Sequence, residues 1–259
     1  LDAGVPVRLS TFCRHEVSVG YRLDDGADIL QSATLVFVPG QTVRVIDLTS
    51  AAVEDAPYLQ VTLRNPAGAD LTGIESVYVL STLALIERNA EWRYFDKGEA
   101  ADLLWKEPGF DDSAWESGPA QLGYGDDDEA TVVEGGPSDD RYPTTYFRHS
   151  FVVDDPARYE TLELGLQRDD GAVVHLNGEE VFRSNMPPGA VSYATYAADT
   201  AESEDAFYTD ECSPFLLLTG TNVVAVEVHQ ANATSSDISF ALELNASMKP
   251  PVIVEGFSR

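Results

Sequence analysis

The side chains with the clearest capacity to bind a ligand fall in the second half of the sequence. The polar candidates are Arg168, Asp169, Asp170, His175, His229, Gln230, Asn232 and Asp237, and the aromatic candidates are Trp92, Tyr94, Tyr124 and Tyr142. Guanidinium, carboxylate and amide groups form paired hydrogen bonds with neighbouring hydroxyls, while an aromatic ring stacks on the apolar face of a pyranose. If the fold brings these segments together, the residue types favour sugar binding.

Several of these residues also have a purely structural interpretation. Asp169 and Asp170 lie where a tight turn is expected, and Asp side chains accept backbone hydrogen bonds in such turns. His229 fits a half-buried strand position paired with a neighbouring carboxylate. Trp105 and Trp115 are better explained as core residues beneath loops than as ligand platforms. The binding and structural interpretations both stand at this point.

No recognisable catalytic motif occurs in the sequence. The four histidines are His15, His149, His175 and His229, and none lies in a zinc-binding HExxH motif or beside a nucleophile elbow. Carboxylate pairs are uninformative here, because 44 of the 259 residues are acidic. A Ser-His-Asp triad assembles in space rather than along the chain, but nothing in the sequence favours one. We therefore expect no independent active site.

Alternating apolar residues predict the strands that must position the polar groups. Three such groups are Leu162, Leu164 and Leu166; Val224, Val226 and Val228; and Ile238, Phe240, Leu242 and Leu244. This period of two is typical of strands with one face in a core. The Asn-Gly pair at 177–178 favours a type I′ hairpin, which places His175 opposite Glu180 and Val174 opposite Val181. A β-sandwich of about eight to ten strands is expected in this half.

The first half of the chain shows the same period. Its alternating residues include Val17, Val19, Tyr21 and Leu23, followed later by Leu59, Val61 and Leu63. Turn signals at 39–40 and 65–68 separate these short runs. The patterns predict an all-β fold class with two β-sandwich domains, 1–85 and 86–248. A linker or tail is expected at 249–259, where two prolines follow Lys249.

Three segments of the first domain resemble a Calx-beta repeat: Val17–Tyr21, Leu35–Thr42 and Val61–Leu71. The resemblance extends over nearly all of residues 5–80 and implies an immunoglobulin-like sandwich of the kind found in surface and secreted proteins. Some members of that family bind calcium at one end. This sequence lacks a convincing acidic cluster paired across the ends of the domain, so the resemblance implies a spacer.

Six segments of the second domain occur in the same order as in a galactose-binding-like jelly roll: Phe110–Trp115, Gln121–Asp126, Tyr146–Phe151, Arg168–Gly178, Gly220–Gln230 and Ser235–Phe240. Many carbohydrate-binding modules share this fold, and so do sugar-binding domains appended to glycoside hydrolases. The fold also hosts adhesive and purely structural domains, so it does not by itself define a ligand. The resemblance implies a jelly roll that recognises carbohydrate without cleaving it.

Calcium is the metal that the acidic loops favour. Ca²⁺ takes about six to eight oxygen ligands from carboxylates and carbonyls, and Asp126 and Asp128 lie in a loop-rich acidic segment. The jelly-roll resemblance implies a structural calcium between an early loop and the last strand, where Asp96 and Glu243 occur. The alternative is that these Asp-rich loops only hold water. We expect calcium as a structural cofactor.

The formal net charge of −28, from 44 acidic and 16 basic residues, limits the classes of partner. It disfavours nucleic acid, because neutralising phosphates requires Lys and Arg, and it favours neutral glycans over polyanionic ones. No apolar run reaches the roughly 18–20 residues that span a bilayer, so no membrane insertion is expected. Cys13 and Cys212 show no metal-binding spacing, and both isolated thiols and a bridge remain open.

These observations lead to a single expectation with two alternatives. We expect a non-catalytic, calcium-stabilised carbohydrate-binding region of a larger secreted or cell-surface bacterial protein. The chain begins at Leu1 and is interpreted as part of a longer protein, whose other domains are expected partners beside a carbohydrate or polysaccharide. In the first alternative, both domains are structural or adhesive spacers without a soluble ligand. In the second, the jelly roll docks on a hydrolase or phosphoesterase domain.

Overall fold

The structure, a computed structural model, describes residues 4–25, 28–48, 58–71, 76–80, 82–203 and 205–249. In these residues the regular structure is strand, apart from single-turn 3₁₀ helices at Pro156–Arg158 and Pro214–Leu216, which confirms the predicted all-β fold class. The chain divides into two compact units, 1–83 with 247–259 and 84–246, here called the N-terminal and C-terminal units. The tail expected at 250–259 lies outside the described residues.

The N-terminal unit contains β1 (Val5–Arg8), β2 (Val17–Asp24), β3 (Ile29–Phe37), β4 (Val43–Ile46), β5 (Tyr58–Ala67) and β6 (Ser76–Leu80). Four of them form an antiparallel sheet in the order β3–β2–β5–β6, and β1 pairs with β4. Val17, Val19 and Leu23 on β2 are buried, as their period of two predicts. They join Phe37 and Leu59 in one apolar core.

The C-terminal unit begins within β7 (Thr82–Ile86). Its further strands are β8 (Glu91–Phe95), β9 (Glu116–Pro119), β10 (Leu122–Tyr124), β11 (Thr131–Val132), β12 (Thr144–Val153), β13 (Tyr159–Asp169), β14 (Gly171–Leu176), β15 (Glu179–Ser184), β16 (Phe207–Cys212), β17 (Gly220–His229) and β18 (Ile238–Met248). The front sheet has the order β15–β14–β17–β12–β8–β9, and the back sheet has the order β11–β10–β18–β13–β16. Cys212 and Cys13 are both free thiols.

The two sheets of the C-terminal unit pack face to face around aromatic and aliphatic side chains. Phe147 of the front sheet stacks on Phe240 of the back sheet, with ring centroids 4.1 Å apart. Trp92 meets the same ring edge-on at 4.9 Å. Leu162, Leu164 and Leu166, which alternate on β13, are buried as predicted. This arrangement is a β-sandwich.

The outer face of the front sheet is also covered. Trp105 and Trp115 form a second apolar cluster there with Tyr146, Val223 and Ala225 of β12 and β17. This finding confirms that the two tryptophans are core residues beneath loops. Because both faces of the sheet are covered, the central strand β17 is buried from residue 223 to residue 229. This burial includes the polar residues Glu227 and His229, which alternate with its valines.

A β-bulge changes the predicted register of the hairpin formed by β14 and β15. Residues 177 and 178 both have positive φ, as a type I′ turn requires, and His175 lies opposite Glu180 as predicted. The predicted pairing of Val174 with Val181 is wrong, because the register shifts there and Val174 lies opposite Phe182. Residues three apart on a regular strand point to opposite faces, whereas this bulge lets Glu180 pair with Arg183.

Candidate functional site

An open cleft of about 420 Å³ lies on the outer face of the front sheet. Its floor is formed by Tyr146, His175 and Glu227, which belong to β12, β14 and β17. Residues 100–106 form one wall, residues 189–193 form another, and Glu180 and Arg183 of β15 border a third side. The strand pairing explains why these side chains lie together on the floor, because Glu227 is directly opposite Tyr146 of β12 on one side and Val173 of β14 on the other. We call this feature the outer cleft.

The wall at 100–106 is fixed by a buried arginine. Arg148, whose side chain is 1% exposed, forms an ion pair with Asp112, with 2.8 Å between Nε and Oδ2. Its remaining guanidinium N–H groups donate to the carbonyl oxygens of Trp105 and Glu107. A single cation therefore holds the loop against the sheet and satisfies carbonyl oxygens that would otherwise be buried without a partner.

The opposite wall is fixed by two buried side chains of the front sheet. Thr144 donates its hydroxyl hydrogen to the carbonyl oxygen of Tyr193, at 2.7 Å. Nδ1 of His229 lies 2.7 Å from the carbonyl oxygen of Thr195 and 2.9 Å from the Thr144 hydroxyl. Because each wall is bonded to the sheet, the cleft has its shape before any ligand arrives.

The charged groups of the outer cleft are held in defined positions. Arg183 binds both carboxylate oxygens of Glu180 at 2.7 Å and donates to the carbonyl oxygen of Pro187 at 2.8 Å. Lys106 Nζ lies 3.4 Å from Nε2 of His175. Burial, with a further contribution from the Lys106 charge, lowers the pKa of His175 to about 4. His175 is therefore neutral at pH 7.

This lowered pKa predicts a measurable pH dependence. The unfolded chain binds a proton at His175 near the model value of 6.5, whereas the folded protein does so only near 4, so stability is lost as the pH falls through this window. Between pH 6.5 and 4, the free energy of unfolding should fall by about 2–3 kcal/mol more in the wild type than in His175→Gln.

Tryptophan fluorescence measures this effect in the correct unit, because all three tryptophans, Trp92, Trp105 and Trp115, lie in the C-terminal unit. Urea denaturation at several pH values gives the free energy of unfolding. The His15→Gln variant, changed in the N-terminal unit, should retain the wild-type profile. Identical profiles for the wild type and His175→Gln would contradict the prediction.

The loop end predicted from the sequence forms, but as a closed hydrogen-bond network. Asp170 accepts hydrogen bonds from the backbone N–H groups of Ala201 at 2.9 Å and Ala231 at 2.7 Å, and from the Ser235 hydroxyl at 3.0 Å. Arg168 is buried, donates to the Ser184 hydroxyl at 3.0 Å and lies over the ring of Tyr208. The carboxylate of Asp170 thus holds loops together, and the guanidinium of Arg168 contacts residues of β15 and β16.

The second half of the loop end is similarly occupied by internal bonds. Gln230 donates to the Tyr124 hydroxyl at 2.7 Å and to the carbonyl oxygen of Asp237 at 2.9 Å. Burial raises the pKa of Tyr124 to about 12. Asn232 is exposed, and its side-chain oxygen accepts hydrogen bonds from the backbone and hydroxyl of Thr234, as in a local turn. Asp169 is also buried.

Two members of the predicted sugar site lie elsewhere. Trp92 is fully buried between the sheets, so its proposed role as a stacking platform is wrong: no face of the ring is available to a ligand. His175 lies in the outer cleft, along β14 from the turn that contains Asp170. His229 is fully buried rather than half-buried. Its Nε2 lies 3.4 Å from Glu227 Oε2, so it does lie beside a neighbouring carboxylate, as its structural interpretation predicted.

The structure brings some of the predicted calcium ligands together and separates others. Among the described residues, one group of three acidic side chains, Asp126, Asp128 and Glu129, has oxygens that all lie within 4.8 Å of one another. Asp96 and Glu243 do not belong to it. Asp96 lies 2.9 Å from Lys97, and Glu243 is bonded by Arg88 at 2.9 and 3.1 Å, so each carboxylate already has a cationic partner. The pairing of Asp96 with Glu243 in one metal site is therefore not supported.

Most residues of the outer cleft were not singled out from the sequence. Glu227, Lys106 and Arg183 had no motif to mark them. The available signal was the alternation on β17, where Ala225, Glu227 and His229 share the face opposite a row of valines. Such a pattern is typical of a solvated face, and only the covering loops convert it into the floor of a cleft.

The N-terminal unit contains a different kind of cavity. A groove of about 430 Å³ is lined largely by its core side chains, including Val17, Val19, Phe37 and Val61. Ligand sites combine apolar walls with a few converging polar groups. The outer cleft fits that description better, because five charged side chains and a neutral imidazole line it.

Comparisons with known proteins give no family. No protein-family model matches the chain, and no curated protein matches it. Similar solved structures include a β-glucuronidase from Bacteroides uniformis, with 17% identity and a TM-score of 0.44 over 64% of this chain and 18% of that chain. A β-glycosidase from Bacteroides vulgatus has 15% identity and a TM-score of 0.42, covering 65% and 20%. A β-glucuronidase from Ruminococcus gnavus has 12% identity and a TM-score of 0.39, covering 64% and 30%. The chain thus spans less than a third of each of these proteins.

No helix in the described residues is long and apolar enough to cross a membrane.

Proposed function

We propose that this chain is a non-catalytic accessory region that binds carbohydrate, and that the ligand occupies the outer cleft. The observation that carries the proposal is the convergence of Glu227, Lys106 and Arg183 with aromatic side chains in one pre-formed cleft. Its volume of about 420 Å³ falls in the range of about 300–1,000 Å³ that small-ligand sites occupy. Sugar rings need this combination of fixed polar groups and aromatic surface.

The outer cleft is a better candidate than the loop end that the sequence suggested. At the loop end, both carboxylate oxygens of Asp170 are already bonded to backbone or hydroxyl donors. A ligand there would have to break these bonds, and each buried donor left unpaired costs about 1–3 kcal/mol. In the outer cleft, Lys106 has no carboxylate within 4 Å among the described residues, and Glu227 makes one long contact of 3.4 Å with His229, so a ligand can bind these two groups without breaking a comparable network. Leu103, which is 93% exposed, adds apolar surface at the rim.

A glycan array tests the proposal on the full chain. The wild type should bind at least one glycan, and Ala190→Trp should abolish that binding, because Ala190 is exposed on a wall of the cleft and an indole there fills it. Ala157→Trp, an exposed position on the first 3₁₀ turn, is the matched control and should bind as the wild type does. Silence of the wild type on the array, or full binding by Ala190→Trp, would reject the outer cleft as a sugar site.

We further propose that Asp126, Asp128 and Glu129 bind a structural calcium ion. The support is their arrangement, with carboxylate oxygens within 4.8 Å of one another and the carboxylate of Asp126 bonded to Ser239 of the back sheet at 3.2 Å. Burial, with the charge of Asp237, raises the pKa of Asp126, and a cation would relieve this cost. Bound calcium would then link the loop after β10 to the last strand.

Calcium binding at this cluster predicts a concentration-dependent melting temperature. At about ten times the dissociation constant, the tryptophan-detected melting temperature should rise by about 3–5 °C, and chelator should reverse the change. Asp126→Asn with Asp128→Asn should lose the response. The pair Asp139→Asn with Asp140→Asn removes the same charge from an exposed site and should keep it. A melting temperature that is insensitive to calcium and chelator removes the calcium proposal.

The remaining parts of the proposal concern the setting of the protein. The N-terminal unit is proposed to act as a Calx-beta-like spacer, and the whole chain to belong to a larger secreted or cell-surface protein. The low lysine content and the net charge of −28 support an extracellular location. If no glycan binds, a structural or adhesive spacer role and a docking role on a catalytic domain are the alternatives that follow.

A further inference from the structure

Glu227 is a buried carboxylate at the floor of the outer cleft. Its side chain is 8% exposed, and the imidazole of His229 is the basic group found within 4 Å of it among the described residues. The contact is long, with 3.4 Å between Nε2 and Oε2. Burying a carboxylate is costly unless it is paired and hydrogen-bonded, so the nature of this contact decides what the cleft can bind.

The hydrogen-bond network determines where the protons of His229 lie. The carbonyl oxygen of Thr195 can only accept, so Nδ1 must carry a hydrogen. The Thr144 hydroxyl uses its own hydrogen on the carbonyl oxygen of Tyr193, so it also presents a lone pair to Nδ1. Both contacts of Nδ1 therefore require the same protonation state, with the hydrogen on Nδ1.

With the Nδ1 hydrogen directed at Thr195, Nε2 is the nitrogen that faces Glu227. The contact of 3.4 Å between Nε2 and Oε2 is long, and Nε2 makes no hydrogen bond among the described residues. Glu227 therefore lines the cleft as a carboxylate whose capacity to accept hydrogen bonds is not used by His229.

The groups around Glu227 leave its carboxylate as a hydrogen-bond acceptor. His175 is neutral at pH 7, and Arg183 is already bonded to Glu180 and to a backbone carbonyl. The hydroxyl oxygen of Tyr146, on the neighbouring strand, accepts a hydrogen bond from the backbone N–H of Ala101. Lys106 contacts His175 and is the one cation of the cleft without a carboxylate within 4 Å in the described residues.

We propose that Glu227 determines specificity by accepting hydrogen bonds from ligand hydroxyl or ammonium groups. The ligand class that follows is neutral or amino-substituted sugars. Uronic and sulfated sugars are excluded, because their anions would face Glu227 and Glu180. This inference rests on the proposed carbohydrate-binding function of the same cleft. Lys106 gives the opposing possibility, which is recognition of an acidic sugar through its ammonium group.

The test uses the full chain on an array printed with neutral glycans, glycans with free glucosamine, uronic glycans and sulfated glycans. The wild type should bind the first two classes. Glu227→Gln keeps the side-chain size and should weaken binding of glucosamine glycans by about 10- to 100-fold and of neutral glycans by a smaller factor. Glu163→Gln, the same change at an exposed position of the back sheet, should have no effect.

The outcomes separate the two proposals. Preference of the wild type for uronic or sulfated glycans, or unchanged binding by Glu227→Gln while Ala190→Trp abolishes it, overturns the specificity inference and keeps the proposed function. If the wild type binds no glycan of any class, both the proposed carbohydrate-binding function and the specificity inference are overturned.

Discussion

Replacing Arg148 with methionine is expected to lower the free energy of unfolding of the C-terminal unit by about 3 kcal/mol. The substitution leaves the carbonyl oxygens of Trp105 and Glu107 without their guanidinium donor, and it leaves Asp112 with only its longer, 3.5 Å contact to Arg93. Methionine fills part of the volume, so the loss reflects polar groups rather than a cavity. Urea denaturation followed by tryptophan fluorescence measures the change in this unit.

Two control variants make the Arg148 prediction specific. Arg148→Lys keeps the charge but cannot reach three acceptors from one planar group, so it should recover only a small part of the loss. Arg88→Met removes an arginine that is 57% exposed and paired with Glu243, and it should cost no more than about 1 kcal/mol. Equal effects of Arg148→Met and Arg88→Met would show that Arg148 does not hold the loop.

Replacing Asp170 with asparagine is expected to lower the free energy of unfolding of the same unit by about 2–3 kcal/mol. The amide has one acceptor oxygen where the carboxylate has two. Whichever way it turns, its NH₂ group faces a donor, either the N–H of Ala201 or that of Ala231 together with the Ser235 hydroxyl. The loops that meet at this side chain should therefore open more easily.

Amide hydrogen exchange at Ala201 and Ala231 reports this opening directly, and protection at both positions should fall in Asp170→Asn. Asp154→Asn is a suitable control, because Asp154 is exposed and lies at the end of β12. It should leave both the unfolding curve and the exchange rates unchanged. Retained protection at both amides in Asp170→Asn would mean that the carboxylate is dispensable and free to contact a ligand.

The fold was predictable from the sequence because its strands keep one face in a core. The leucines at 162, 164 and 166 and the valines at 224, 226 and 228 carry a period of two that only a strand satisfies. The register of β15 was not predictable, because the bulge opposite Val174 depends on the pairing of two strands rather than on a local signal. The Asn-Gly turn specifies only the cross-strand residue pairs next to the turn, and the pair of His175 with Glu180 is one of them.

The candidate site was less predictable than the fold. Sequence could identify Asp170 and Gln230 as polar residues at strand ends, and the structure does bring these ends together. It could not show that their oxygens and N–H groups would be used by Ala201, Ala231 and Tyr124. Whether a polar group is free for a ligand depends on partners that are distant in the chain, and hydrogen-bond saturation leaves no trace in composition or spacing.

The bulge in β15 has a further consequence for the solution behaviour of the protein. β15 is the outermost strand of the front sheet, and an unprotected outer strand invites hydrogen bonding with strands of other molecules. The irregular register interrupts the row of backbone groups on this side, and the charged residues Glu179, Glu180 and Arg183 lie along it. We expect this margin of the sheet to resist edge-to-edge self-association at high protein concentration. Removing the bulge by deleting Val181 should promote aggregation.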